Sequence, residues 1–231
     1  MDITPLPVAL IRQDLANLNS LQSCALMVLK HFAVKISPDE LRKKVHFYHK
    51  HSGLFGSFLT DFGCFAIKKN LTPFISHYDW QWWDQETAET ATKNPKQLIK
   101  KIRALKKTKS DWGEKKIHTK EVQYLKAGGI LRFEKPQLSK LDFWLQRQVP
   151  IILRVWAADF YRLPKETYAH IIVVVGKRDN HYLIKDPQLA LKTIDEENLL
   201  IAWTRAGNWL MTVTQRPKSE TEDQLPLFAG K

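Results

Sequence analysis

Apolar positions in residues 15–34, LANLNSLQSCALMVLKHFAV, recur at helical spacing, so that Leu21, Cys24, Ala25, Val28, Leu29 and Phe32 share one face. They predict a buried helix whose cap is Asn19 or Ser20. A second helix is signalled by SPDELRKKV, where Ser37 is the N-cap, Pro38 opens the first turn and Glu40 stands at the third position. A third runs through GSFLTDFGCFAIKKN, with Gly63 and Cys64 on its packed side. The period then changes. LTPFISHYDWQWWDQ reads as a strand entering an aromatic-rich segment, and residues 90–120 are basic, loop-like and helical, more like an insertion than core. Within them, residues 93–109 predict a helix capped by Asn94 and entered at Pro95. Leu98, Ile102 and Leu105 form its apolar stripe, opposite Lys96, Lys100, Lys101, Arg103 and Lys107.

Further along, GGILRF predicts a short strand, and a helix is entered at Pro136 and Ser139. Pro150 leads an apolar strand, YAHIIVVVGKRDNHYLIKDP reads as a buried hairpin with a polar turn, and GNWLMTVTQ closes the core. Helices first and mostly antiparallel strands afterwards predict an α+β domain over residues 1–215, the layout that papain-like enzymes use. Residues 216–231 are expected to be a flexible tail.

Composition changes this picture little. A chain of 231 residues that is 44% hydrophobic supports one sizeable core. No apolar run approaches the ~18 residues of a membrane span, and the first residues lack a signal-peptide pattern, so a cytoplasmic protein without membrane contact is expected. The two cysteines, Cys24 and Cys64, are expected to be free thiols. His31, His46, His49, His51, His77, His118 and His181 show no zinc-like spacing with them, and neither a metal nor a cofactor is expected. The formal charge of +12 favours an anionic neighbour, and the basic helix face offers weak nucleic-acid contact as a minority reading beside a plain solvated surface.

The hairpin carries the candidate chemistry. His170 precedes its first strand and Asp186 ends its second, and antiparallel pairing sets the start of one strand beside the end of the next. Pro187 biases Asp186 toward an extended backbone. A histidine base oriented by a carboxylate needs a nucleophile, and Cys24 lies in the first turns of a helix whose dipole lowers a thiol pKa. Cys24, His170 and Asp186 are therefore the expected triad, with Gln22 and Asn19 as nearby amides for an oxyanion. Cys64, following a glycine inside a packed helix, is expected to be structural.

QSCALMVLKHF near the start, AHIIVVVGKRDNHYLIKDP, TIDEENLLIAW, DFGCFAIKKNLTPFI and VPIILRVWAADFYRLPKETYAH together resemble the papain-like cysteine peptidase family that removes double-glycine leaders from bacteriocins, and its stand-alone bacterial relatives. The likeness spans most of residues 10–213. It implies a papain-like fold and a hydrolase acting on a peptide or protein substrate, with Cys24 as nucleophile, His170 as base and Asp186 orienting it. The chain departs from the family at Ala25, where glycine usually follows the nucleophile, and at Leu18, where a glutamine usually stands. Other classes are a non-catalytic peptide-binding domain of the same fold and a basic accessory protein of DNA replication or repair. The latter rests on the tail, where Gln224, Leu225, Leu227 and Phe228 resemble the peptide by which bacterial proteins dock on the DNA polymerase sliding clamp.

Overall fold

The computed structural model describes residues 2–48, 56–78, 94–189 and 192–216. The aromatic segment after Tyr78 and the clamp-like tail lie outside them. The described helices are α1 (Gln13–Ala16), α2 (Ser20–His31), α3 (Pro38–Lys44), α4 (Leu59–Lys68), α5 (Pro95–Thr108), α6 (Trp112–Lys126), α7 (Leu138–Gln146), α8 (Ala157–Tyr161) and α9 (Glu196–Arg205). The strands are β1 (Leu71–His77), β2 (Ile130–Phe133), β3 (Ile151–Trp156), β4 (Ala169–Arg178), β5 (His181–Lys185), β6 (Thr193–Asp195) and β7 (Leu210–Gln215). They form one seven-stranded sheet in the order β2-β1-β7-β3-β4-β5-β6. Every pairing is antiparallel except that of β1 with β2.

Local chemistry explains the helix starts. Asn19 caps α2 through a capping box: its side chain accepts the Gln22 N–H, while the Gln22 side chain accepts the Asn19 N–H. Ser37 and Asn94 likewise cap α3 and α5, each followed by proline at the first helical turn. From Leu21 to Leu29 every residue of α2 is buried, so this helix is the spine of the core and packs on β4.

The basic stretch expected as an insertion is the crossover that lets β1 and β2 run parallel. Leu98 and Ile102 of α5 and Tyr124 and Leu125 of α6 belong to the main core, while Lys96, Lys100, Arg103 and Lys107 face solvent. Tyr124 joins this crossover to the sheet by donating its hydroxyl to the carbonyls of Pro73 and Ile130, at 2.8 and 3.2 Å. Its ring passes so close to Gly63 of α4 and to Gly129 that a Cβ at either position would overlap it. Below it lies a buried polar cluster. Glu121 places one carboxylate oxygen 3.3 Å from His77 Nε2 and the other 3.0 Å from His118 Nδ1, with all three side chains sealed from solvent. His77 also stacks on Trp209, ring centroids 3.9 Å apart.

Among the described residues no helix is long and apolar enough to cross a membrane, and no group of three His, Cys, Asp or Glu side chains is placed to hold a metal ion.

Candidate active site

The hairpin β4–β5 brings His170 and Asp186 to one end of the sheet. Their register shifts once, at Val174 and Gly176, and the last pair is Lys185 with Val173, so Asp186 follows β5 within a few residues of the His170 end of β4. His170 Nε2 lies 2.8 Å from Asp186 Oδ1, and the two side chains are 2% and 0% exposed. The carboxylate also accepts the Tyr161 hydroxyl at 3.0 Å and the backbone N–H groups of Gln188 and Leu189 at 2.9 and 3.3 Å. Burial alone would raise this carboxyl. The hydrogen bonds from His170, Gln188 and Tyr161 outweigh it and hold Asp186 below its ordinary range. Burial and the adjacent Asp186 charge push the Tyr161 phenol far up, so it stays a donor. Tyr161 comes from the last position of the short helix α8, and its ring centroid lies 5.7 Å from that of His170.

An ionised carboxylate on Nε2 fixes the imidazole with its proton on that nitrogen and leaves Nδ1 as the basic atom. Among the described residues Nδ1 has no hydrogen-bond partner. His170 forms part of the wall of a cleft of about 600 Å³, together with Gln13, Asn19, Ser20, Trp156 and Gln188. The cleft thus opens over the N-terminus of α2, whose dipole and first-turn N–H groups favour developing negative charge.

Cys24 lies close to this pair but is not among the residues that line the cleft. It is 0% exposed, and its Sγ–H donates to the Ile171 carbonyl at 3.3 Å. Burial, and then the charge of Asp186, push its thiol well above the usual range. Gln22 is equally committed. It is 4% exposed, donates from its side-chain amide to the Val45 carbonyl and closes the capping box. Asn19 does reach the cleft, but its oxygen caps α2 and its amide donates to Ser57 Oγ at 3.0 Å. Cys64 is a half-buried free thiol, raised by burial.

No family model matches the chain, and no curated protein matches it. Among solved structures it is similar to one described as a "putative C39-like peptidase from Bacillus anthracis", with 12% identity, a TM-score of 0.45, and coverage of 94% of this chain and 100% of that one.

Three contributors were not singled out from the sequence. Tyr161 and Gln188 complete the shell around Asp186, and Gln13 stands in the cleft wall, its N–H donating to the Pro187 carbonyl at 3.0 Å. Gln13 sits in a four-residue helix with no side-chain cap, so no periodicity marks it. The Asp186-Pro187-Gln188 turn is the one sequence signal that leads to Gln188.

Proposed function

We propose that the chain is a peptidase-like hydrolase that cleaves an amide bond of a peptide or protein segment held in the cleft. The carrying observation is the buried His170–Asp186 pair, whose imidazole forms part of the wall of a cleft at a helix N-terminus. His170 takes the proton of the attacking group and returns it to the leaving amine, as general base and then general acid. Asp186 holds the ring and its tautomer and stabilises the imidazolium that forms between these steps. The first turn of α2 is suited to stabilise the oxyanion. The open cleft of about 600 Å³ has room for a short segment of an extended peptide.

Incubation with a degenerate peptide library, followed by mass spectrometry of the products, tests this. The wild-type chain is expected to generate new termini at defined sites, and His170→Ala to generate none above the uncatalysed background while remaining folded by circular dichroism. A library bound but never cut by the wild-type chain would leave a binding domain in place of the enzyme.

A further inference from the structure

The buried state of Cys24 leaves the His170–Asp186 pair without its expected nucleophile, and the cleft wall supplies another. Ser20 is the first residue of α2, directly after the Asn19 cap. It lies one helical turn before Cys24, and side chains four apart on a helix point along the same face. Both therefore aim toward the start of β4. The difference is depth: Ser20 is half-buried and lines the cleft with His170, whereas Cys24 sits one turn deeper against the Ile171 carbonyl. Among the described residues the Ser20 hydroxyl makes no hydrogen bond, so it is not committed elsewhere.

We infer that Ser20 is the nucleophile served by His170 and Asp186, an assignment that rests on the hydrolase reading above. The Ser20 Oγ attacks the carbonyl carbon of the bound amide. A C–O bond forms, the carbonyl π pair moves to oxygen, and the hydroxyl proton passes to His170 Nδ1. When the tetrahedral species collapses, the C–N bond breaks and His170 gives its proton to the departing amine, leaving an ester on Ser20. Water, deprotonated by the same nitrogen, then cleaves that ester and restores the hydroxyl. The Gln13 side chain, in the same wall, offers an amide that could donate to the oxyanion.

The position can be tested without knowing the substrate. In Ser20→Cys, a thiol at the first turn of α2 facing His170 is expected to be alkylated by iodoacetamide at pH 6 at least tenfold faster than a free thiol, with its pKa lowered as helix N-termini and imidazolium neighbours lower it. Peptide mapping assigns the adduct, and adding His170→Ala should return the rate to that of a free thiol. On the wild-type chain, a fluorophosphonate probe should label Ser20 and fail to label it in His170→Ala. A Ser20→Cys thiol no more reactive than a free one would overturn the assignment. Peptide cleavage that needs His170 but is unchanged in Ser20→Ala would overturn it while leaving the hydrolase reading intact. Cleavage that needs neither would overturn both.

Discussion

Glu121→Ala is expected to lower the stability of the fold by about 3–5 kcal/mol, the range for removing one partner of a buried carboxylate contact. Glu121 is fully buried and supplies the acceptor oxygens facing His77 at the end of β1 and His118 on α6. Removing it deprives both imidazoles of that acceptor in a place water does not reach, and it loosens the crossover that carries β2 onto the sheet. Urea denaturation measures the loss, and a change below about 1 kcal/mol would show that the cluster contributes little. The effect also has a pH signature. Burial would raise the Glu121 carboxyl, but its contacts with His118 and His77 more than offset this and lower it. A carboxyl lower in the folded chain than in the unfolded one stabilises fully above the unfolded value, about 4.3, and loses that contribution as pH falls through the folded value. The gap between wild type and Glu121→Ala should therefore narrow as the pH is taken from 6 to below 4.

The second large effect falls on catalysis. Asp186→Asn is expected to reduce the turnover of a cleaved peptide on the order of 10³–10⁴-fold, the loss seen when an orienting carboxylate becomes an amide. The side chains are nearly the same size, so the buried hairpin end should stay packed. An amide, however, can turn its NH2 toward the imidazole, which moves the ring proton to Nδ1 and removes the base from the cleft. It also gives up one of the oxygens that accept from Tyr161 and the Gln188 and Leu189 N–H groups, so a stability loss of about 1–3 kcal/mol should accompany it. A turnover loss under tenfold in a folded variant would mean that Asp186 is a packing residue.

Much of the fold is legible in the chain because its punctuation is local. Asn19, Ser37 and Asn94 mark helix starts through side chains that reach only to the next turn, and the structure places α2, α3 and α5 directly behind them. The His170–Asp186 pairing is legible for a similar reason: a hairpin is the shortest device that brings two distant residues level, and the turn GKRDN fixes its position. What the sequence conceals is depth. Periodicity assigns Cys24 to the correct face of α2, yet says nothing about how far along the helix the cleft ends, so the buried thiol and the accessible Ser20 look alike. The charge of residues 90–120 conceals the crossover in the same way, because exposed lysines dominate a helix pair in which Leu98, Ile102 and Tyr124 are completely enclosed. Tyr161 is beyond sequence reasoning for a third reason. Its contact with Asp186 joins a five-residue helix to a turn, with no repeat or cap to announce it.

The central claim is that Asp186 fixes His170 so that Nδ1 faces the cleft as a base. Nitrogen-resolved NMR of the histidine side chains, assigned with His170→Ala, tests it most directly. Above the ring's titration the His170 imidazole should be a single tautomer, protonated at Nε2 and bare at Nδ1, and Asp186→Asn should alter that tautomer. A His170 ring protonated at Nδ1, or one averaging between tautomers in the wild-type chain, would contradict the account.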